Sequence, residues 1–363
     1  MARALMLAER GLYTTDPNPR VGCVLVKDGV VIGEGWHQRT GEAHAEVIAL
    51  AAAGDRARGA TADVTLEPCC HYGRTPPCTG ALLAAGVSRV VVAMEDPNPR
   101  VAGRGLAQLR EAGVEVGCGV MTAEAEALNP GFISRMSRGR PYVRVKLAMS
   151  LDGRTALASG ESQWITGAEA RLDVQRLRAR SGAIMTGINT VLADDPRLTV
   201  RLSDDRPLRQ PLRVILDSDL QTPPDAQLLT LDGSVLIFTA SQDDRCRQSL
   251  WDAGAELVTV DRAVVTGLDL SAVMAELARR QVNELHVECG PVLAGALLSA
   301  GLIDELVVYM APLLLGDAGR GLFRLPLLST MADRVTLQID TIRAVGQDWR
   351  ITARPTGSQR VND

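Results

Sequence analysis

Hydrophobic and polar positions along the first 140 residues follow two alternating periods, which together predict an α/β fold. Short β-branched runs, which suit buried strands, are separated by longer alanine- and leucine-rich segments, which suit helices with one buried face. Regular alternation of predicted strands and predicted helices indicates a sheet covered by helices. The expected strands are 21–26, 30–35, 62–66, 89–94 and 114–116, and the expected helices are 1–12, 44–53, 78–85, 105–112 and 122–138.

A second α/β pattern begins after residue 140, with a short linker expected at 137–141. A chain of 363 residues suits two domains. We therefore expect domains at 1–140 and 141–356 and a loose polar tail at 357–363. Strands are expected at 142–148, 183–186, 213–217, 234–239, 257–260, 285–288 and 305–310, helices at 168–180, 242–253, 270–280 and 291–300, and a closing hairpin at 335–340 and 349–353.

Composition and charge narrow the class of protein. A net charge of -4 and an aromatic content of 3% disfavour a nucleic-acid partner. The sequence has neither an apolar run of membrane-spanning length nor a signal peptide, so we expect no membrane partner. Seven cysteines lack the spacing of a disulfide framework, and three of them fall within 69–78. This favours a reduced, cytoplasmic protein that uses thiolates to bind metal.

The candidate chemistry lies between residues 44 and 78. His44, Cys69 and Cys78 offer one imidazole and two thiolates, which can hold one zinc ion per chain and leave its fourth position open, as catalytic zinc requires. Glu46 lies two residues after His44, placed to move protons. H-x-E followed by P-C-x-x-C is the signature of zinc deaminases, although here eight residues separate the two cysteines. The pattern predicts hydrolytic deamination.

Other interpretations of this region stay open. A closed structural zinc site would need Cys70 or His71 as its fourth ligand, but adjacent residues rarely both reach one metal, and Glu46 would then have no role. A non-catalytic zinc module and a deaminase of nucleic-acid bases are the competing functions; loss of activity in one domain is a third possibility. His37 and Asn18 suit either a structural role or contact with a substrate ring.

The second half gives weaker signals. Residues 288–291 end a strand and begin a helix, and Gly290 would let a phosphate approach the backbone there, although a plain packing turn explains it as well. No G-x-G-x-x-G follows a strand, so the dinucleotide fingerprint is absent. Arg178 and Arg201 could clamp a substrate phosphate or lie on solvated surfaces. Lys146 lies near a strand end, where α/β sheets bind ligands.

Several longer motifs identify a family. The chain resembles, over nearly its whole length, the bifunctional deaminase–reductase family of riboflavin biosynthesis, the RibD family. The matching stretches are DPNP at 16–19 and 96–99, HAE at 44–46, GRTPPC at 73–78, VAGRG at 101–105, KLAMSLDGR at 146–154, SQWIT at 162–166, TVLADDP at 190–196, and residues 288–298 and 311–312.

This resemblance implies two folds and two successive reactions. The first domain would be a three-layer α/β unit similar to cytidine deaminases, and the second would resemble dihydrofolate reductase. The first would deaminate 2,5-diamino-6-(ribosylamino)pyrimidin-4-one 5′-phosphate. The second would use NADPH to reduce the ribosyl group of the product to ribityl. The partners would be small phosphorylated pyrimidines, and a homo-oligomer is compatible with the sequence.

The resemblance also implies roles for individual residues. In the deaminase, His44, Cys69 and Cys78 would bind zinc and Glu46 would shuttle protons. The deaminase substrate would contact Asn18, His37, His71 and Arg74. The NADPH site would comprise Ala148, Trp164, Thr190, Asp194, Gly290, Pro291, Val292, Leu293, Ala294, Gly295 and Ala296. The reductase substrate would face Ser162, Arg178, Leu198, Arg201 and Glu288, and Lys146 with Glu288 would provide the proton route.

Three departures from the family pattern are visible. Cys70 stands where the family usually has serine, and Cys289 stands where alanine or glycine is common. We expect both to be tolerated, although Cys289 adjoins the expected cofactor loop. The family usually carries several residues before the position of Met1, from which we expect a trimmed or misassigned start.

Overall fold

A computed structural model describes residues 1–72, 76–202, 208–263 and 267–356. The chain forms two compact units, one of Met1–Pro141 together with Gln281–Asn283, and one of the remaining residues from Tyr142 on. The expected tail at 357–363 lies outside the described residues. None of the described helices is long and apolar enough to cross a bilayer.

The first unit contains five strands and six α-helices in the part that the structure describes. In chain order they are α1 (Ala2–Glu9), β1 (Gly22–Lys27), β2 (Val30–Trp36), α2 (Ala45–Ala53), β3 (Thr61–Val64), α3 (Cys78–Ala84), β4 (Arg89–Val92), α4 (Arg104–Glu111), β5 (Glu115–Cys118), α5 (Thr122–Leu128) and α6 (Pro130–Arg138).

The strands form a mixed sheet in the order β2-β1-β3-β4-β5. The hairpin β1–β2 and the pair β1–β3 are antiparallel, whereas β3, β4 and β5 run parallel. A core of fully buried alanine, valine and leucine side chains joins the sheet to its helices, including Ala49 of α2 and Leu82 of α3. Since α2 and α3 both begin at this sheet, their first residues can approach one another.

Two glycines of β2 allow α2 to lie directly on the hairpin. A Cβ at Gly35 would lie 2.3 Å from the carbonyl oxygen of Ala45, and one at Gly33 would lie 2.3 Å from that of Ala49. No side chain fits such a distance, so the close approach requires glycine. The start of α2, which carries His44 and Glu46, is therefore fixed by backbone contact.

The expected helix over 122–138 and the linker at 137–141 are wrong in detail. The helix is interrupted at Asn129, whose φ of -122° and ψ of 37° are not helical. Its side chain instead accepts a hydrogen bond from the backbone N–H of Arg20 (2.8 Å) and donates one to the Arg20 carbonyl (2.9 Å). Pro130, which suits a first helical position, then begins α6. Because α6 continues to Arg138, the linker is confined to 139–141.

The second unit is built on a larger sheet. Its described elements are β6 (Tyr142–Ser150), β7 (Arg154–Ala156), α7 (Ala168–Ala179), β8 (Ala183–Gly187), α8 (Ile188–Asp194), β9 (Leu212–Leu216), α9 (Gln227–Thr230), β10 (Val235–Thr239), α10 (Asp244–Asp252), β11 (Ala255–Thr259), α11 (Leu270–Arg279), β12 (Glu284–Glu288), α12 (Pro291–Ser299), β13 (Glu305–Ala311), β14 (Arg320–Gly321), β15 (Thr336–Val345) and β16 (Asp348–Thr356). The sequence did not predict β7, α8, α9 and β14, which are too short to show a period.

Nine of these strands form one sheet in the order β11-β10-β9-β8-β12-β6-β13-β16-β15. The first seven in that order are parallel, and β16 and β15 add an antiparallel hairpin. The strand β12 lies between β8 and β6, although it follows both in sequence. The carboxyl ends of these three neighbours therefore meet at one edge, where open α/β sheets bind ligands.

A buried ion network lies at the opposite, amino-terminal ends of β6, β12 and β13. Arg144 binds Glu284 (Nη1–Oε2, 3.0 Å) and Glu305 (Nη2–Oε2, 2.9 Å), and Arg180 also binds Glu284 (2.9 Å). The side chains of Arg144 and Glu284 are 2% and 1% exposed. Both charges have therefore lost water, and each depends on the other for compensation.

We expect Arg144→Met to lower the free energy of unfolding of the second unit by about 3–5 kcal/mol, because it leaves buried carboxylates without their main partner. Urea denaturation measures the loss. Arg354→Met in β16 is the control: Arg354 binds Asp340 with 53% of its side chain exposed, so that change should cost less than about 1 kcal/mol. Equal losses in the two variants would contradict the interpretation of the network.

Candidate functional site

The three predicted zinc ligands come together in the first unit. His44 is the residue before α2, Cys69 lies in the loop after β3, and Cys78 is the first residue of α3. His44 Nδ1 lies 3.3 Å from Cys78 Sγ and 3.6 Å from Cys69 Sγ, and all three donor atoms lie within 4.8 Å of one another. A tetrahedral zinc ion separates a thiolate sulfur from an imidazole nitrogen by about 3.6 Å. The donor set therefore fits zinc in both chemistry and spacing.

The thiols of Cys69 and Cys78 influence each other's pKa. The hydrogen bond from Cys78 lowers the pKa of Cys69 to about 4, with a further contribution from His44. The same hydrogen bond, together with burial, raises the pKa of Cys78. The backbone N–H of Cys78 also donates to Cys69 Sγ at 3.3 Å. The lowered pKa of Cys69 favours its thiolate form, and a thiolate favours capture of a cation.

Glu46 lies on the first turn of α2 and is 3% exposed. Burial raises its pKa, and the negative charge of Cys69 adds to the increase. A carboxyl group whose pKa is raised towards the working pH can both accept and return a proton. The structure therefore gives Glu46 surroundings that suit the predicted proton shuttle.

His37 and Asn18 form one hydrogen-bonded chain beside the cluster. His37 Nδ1 faces the carbonyl oxygen of Ala43 at 3.1 Å and must donate to it, since a carbonyl only accepts. Burial lowers the pKa of His37, so its other nitrogen carries a lone pair and accepts from the Asn18 Nδ2 group at 3.1 Å. The Asn18 carbonyl oxygen is then the end of the amide that is directed away from His37. Substrate contact by both residues stays a prediction; the geometry adds that His37 orients Asn18.

The remaining predicted substrate contacts belong to the loop between the cysteines. His71 is partly buried, and its Nδ1 is a buried atom without a hydrogen-bond partner among the described residues. This nitrogen is therefore available to form a hydrogen bond with a ligand. Arg74 lies outside the described residues, so its contact with substrate stays a prediction.

In the second unit, Lys146 in the middle of β6 lies opposite Glu288, the last residue of β12, in the register of the sheet. Arg178 of α7 binds Glu288 through two bonds, Nε–Oε1 at 2.5 Å and Nη2–Oε2 at 2.9 Å. The third nitrogen of Arg178, Nη1, donates to the carbonyl of Thr199 at 2.8 Å. The protein thus engages all three nitrogens of Arg178 through three of its five N–H groups. Its contact with substrate stays a prediction.

These contacts set the charges at the site. Burial opposes ionisation of Glu288, but the charge and hydrogen bonds of Arg178 outweigh it and hold the pKa of Glu288 well below its usual range. Burial lowers the pKa of Lys146, and the carboxylate of Glu288 only partly offsets this. His286, which is fully buried, adds a contact from its Nε2 to Glu288 Oε1 at 3.2 Å. The site therefore holds a fixed anion beside an amine that loses its proton more readily than usual.

The other predicted reductase residues are Arg201, Leu198 and Ser162. Arg201 is classed as exposed, yet partial burial lowers its pKa, and the neighbouring charges of Arg178 and Arg197 lower it further. Leu198 is 2% exposed and has a φ of 48°, a left-handed conformation that is rare for leucine and concentrates at functional sites. Ser162 is partly buried in the segment between β7 and α7. An anion near Arg201 would relieve the local excess of positive charge.

Most of the predicted cofactor residues lie on, or soon after, one of three adjacent strands. Ala148 lies on β6, Thr190 and Asp194 lie on α8 directly after β8, and Gly290 precedes α12 directly after β12. A Cβ at Gly290 would meet nothing within 4 Å, so the backbone at this helix start is open to a ligand. The residues Pro291, Val292, Leu293, Ala294, Gly295 and Ala296 form the first turns of α12. This arrangement can receive an anionic group at the start of α12.

Trp164 is the remaining predicted cofactor residue. It lies between β7 and α7, and its side chain is 70% exposed. The guanidinium of Arg171 stacks over the indole ring, 4.7 Å from the ring centroid. A ring held in this way can offer its other face to a ligand.

Sequence reasoning missed His286 and Glu67. Alternation along β12 places Glu284, His286 and Glu288 on one face of the sheet, and this period could have identified His286. Glu67 is buried and binds four backbone N–H groups next to the zinc ligands. Its only signal in the sequence is a glutamate directly after an apolar strand and before Pro68-Cys69.

Comparison with known proteins assigns both units. The family described as cytidine and deoxycytidylate deaminase zinc-binding region matches residues 1–94, and the family described as RibD C-terminal domain matches residues 141–351. Riboflavin biosynthesis protein RibD of Escherichia coli (strain K12) is 53% identical over 358 residues, which cover 96% of this chain and 96% of that protein.

Two solved structures are similar to this chain over nearly its whole length. Acinetobacter baumannii RibD is 46% identical with a TM-score of 0.92, covering 98% of each chain. The diaminohydroxyphosphoribosylaminopyrimidine deaminase/5-amino-6-(5-phosphoribosylamino)uracil reductase of Thermotoga maritima is 32% identical with a TM-score of 0.87, covering 98% of this chain and 97% of that one. The expected combination of a cytidine-deaminase-like unit and a dihydrofolate-reductase-like unit is confirmed.

Proposed function

This chain belongs to the RibD family of bifunctional deaminase–reductases of riboflavin biosynthesis, and on that premise we propose that it catalyses both reactions in succession. Residues 1–140 release ammonia from 2,5-diamino-6-(ribosylamino)pyrimidin-4-one 5′-phosphate. Residues 141–356 reduce the ribosyl group of the product, 5-amino-6-(ribosylamino)uracil 5′-phosphate, to ribityl with NADPH. The observation that carries the first step is the meeting of His44, Cys69 and Cys78 beside the buried Glu46.

Deamination replaces an exocyclic amino group by oxygen and consumes one water. Zinc bound by His44, Cys69 and Cys78 would supply a water of lowered pKa at neutral pH. Glu46 would take one proton from that water and pass it to the ring nitrogen. It would then take the remaining proton from the new hydroxyl group and pass it to the leaving amino group, which departs as ammonia. Asn18, held by His37, presents its carbonyl oxygen to an N–H donor of the pyrimidine. His71 and Arg74 contact the ribose phosphate.

Reduction needs the ribosylamine ring to open before hydride can reach C1′. NADPH carries the hydride. The start of α12, from Gly290 to Ala296, would hold its phosphates, and Ala148, Trp164, Thr190 and Asp194 would line the rest of the cofactor. Lys146 donates a proton at the ring oxygen, since its lowered pKa favours donation. Glu288, held ionised by Arg178, stabilises the charge of the opened form.

Ser162, Leu198 and Arg201 contact the substrate of the reductase, and Arg201 faces its phosphate. We place the enzyme in the cytoplasm because the thiolates of Cys69 and Cys78 persist in a reducing compartment. Its partners are small phosphorylated pyrimidines, and formation of a homo-oligomer stays a prediction.

The order of the two steps is tested by supplying the diaminopyrimidine phosphate with and without NADPH. Ammonia release and NADPH oxidation are followed separately. We expect ammonia in both samples, and NADPH oxidation only after ammonia has appeared. A zinc chelator should stop ammonia release but leave NADPH oxidation intact when the deaminated product is supplied. Ammonia release that required NADPH would contradict the proposed order.

A further inference from the structure

Glu67 is a buried carboxylate that no step of the proposed reactions uses. It is 3% exposed. Its Oε2 accepts from the backbone N–H groups of Asp96 (3.1 Å) and Gly103 (2.9 Å), and its Oε1 accepts from those of Gly105 (2.8 Å) and Leu106 (3.2 Å). Four donors fill the lone pairs of a carboxylate. One side chain therefore fixes both ends of the loop between β4 and α4, together with the first turn of α4.

The same loop is in backbone contact with the residue after Glu67. A Cβ at Gly105 would lie 2.2 Å from the carbonyl oxygen of Pro68. Only glycine allows that approach. Since Pro68 directly precedes Cys69, the start of α4 rests against the segment that carries a zinc ligand.

Thr79 provides a second contact between α4 and the cysteines. The backbone N–H of Thr79 donates to the carbonyl oxygen of Cys69 at 3.2 Å, and the Thr79 hydroxyl donates to Gln108 Oε1 of α4 at 2.8 Å. Thr79 follows Cys78, so α4 contacts the neighbours of both thiolate ligands. Glu67 binds the first turn of α4 through the N–H groups of Gly105 and Leu106, and so holds α4 next to the cysteines.

We propose that Glu67 is a positioning residue of the deaminase: its carboxylate holds the loop between β4 and α4, and α4 itself, against Pro68 and Thr79, the neighbours of Cys69 and Cys78, and thereby fixes the two thiolates. The role rests on the proposed deamination. Glu67 contacts neither zinc nor substrate; it acts through the backbone segments that carry the zinc ligands Cys69 and Cys78. Loss of a residue that orients metal ligands typically costs 10–100-fold in activity or metal affinity.

Glu67→Gln in the full chain tests this role. The amide has one accepting oxygen and turns an N–H group towards backbone N–H donors, so at least two of the four bonds are lost. We expect kcat for ammonia release, per bound zinc and well below the melting temperature, to fall by about 10–100-fold. NADPH oxidation with the deaminated product should be unchanged. Glu95→Gln, at an exposed position of the same loop, should behave as wild type.

A spectroscopic measurement separates positioning from mere support of the fold. With cobalt in place of zinc, thiolate-to-cobalt absorption reports the geometry of Cys69 and Cys78 directly. We expect Glu67→Gln to shift these bands and Glu95→Gln to leave them unaltered. If Glu67→Gln does not fold, Glu67→Asp, which keeps the charge but withdraws the oxygens by one methylene, should show the same shift.

Different results would overturn the role of Glu67 and the proposed deamination. Wild-type kcat per bound metal together with an unaltered cobalt spectrum in Glu67→Gln overturns the role of Glu67. A lowered melting temperature with normal kcat and spectrum does the same, because it shows a structural residue only. Absence of ammonia release from the wild type rejects the proposed function instead, and the cobalt spectra still decide whether Glu67 positions the ligands.

Discussion

Glu46→Gln is expected to lower ammonia release by about 10²–10⁴-fold, the usual contribution of a positioned acid–base group. The amide cannot accept the proton of the attacking water or return it to the ring nitrogen. Because Glu46 is not one of the three metal donors, bound zinc should stay at one per chain. Ammonia release and zinc content are measured on the same sample.

Two controls make this result specific. Glu42→Gln makes the same chemical change at an exposed position of the preceding loop and should retain full activity. NADPH oxidation with the deaminated product should also be unaffected in Glu46→Gln, since that reaction belongs to the second unit. Undiminished ammonia release in Glu46→Gln would remove Glu46 from catalysis and would favour a zinc module without deaminase activity.

Lys146→Met should produce the reciprocal effect. We expect NADPH oxidation with the deaminated product to fall by about 10²–10⁴-fold, because methionine keeps the length of the side chain but carries no proton. Ammonia release should continue at the wild-type rate, and the deaminated pyrimidine should accumulate. The measurement is single-wavelength absorbance of NADPH beside an ammonia assay.

The chain offers a matched control for this variant. Lys27 is the only other lysine in the sequence, and its Nζ donates to the carbonyl of Arg58 on the first unit. Lys27→Met should leave both activities unchanged. Normal NADPH-dependent turnover in Lys146→Met would exclude Lys146 and leave Glu288, or a water molecule next to it, as the proton route.

The zinc ligands were predictable because their chemistry restricts the choice. Few residue types bind zinc, and His44, Cys69 and Cys78 stand next to expected helix starts. Except for the short β7 and β14, the strands of both units were predictable from runs of apolar and β-branched residues. By contrast, the break at Asn129 depends on a hydrogen-bonded pair with Arg20, 109 positions earlier. No local pattern reveals such a contact.

The surroundings of the reductase site were less accessible to sequence reasoning. The ion pair of Arg178 with Glu288 was not predictable, because it depends on β12 lying between β8 and β6 in the sheet. Glu67 was missed for a related reason. Its four partners are backbone N–H groups, which every residue except proline possesses, so the sequence carries no mark of them.

Because the zinc donors come from three separate segments, bound zinc also stabilises the folded state of the first unit. His44, Cys69 and Cys78 join the start of α2, the loop after β3 and the start of α3, which are separate once the chain unfolds. Zinc that binds only the native state adds about 2.7 kcal/mol to the free energy of unfolding at a free concentration one hundred times its dissociation constant. The stability of the first unit is therefore a function of zinc supply, whereas that of the second is not.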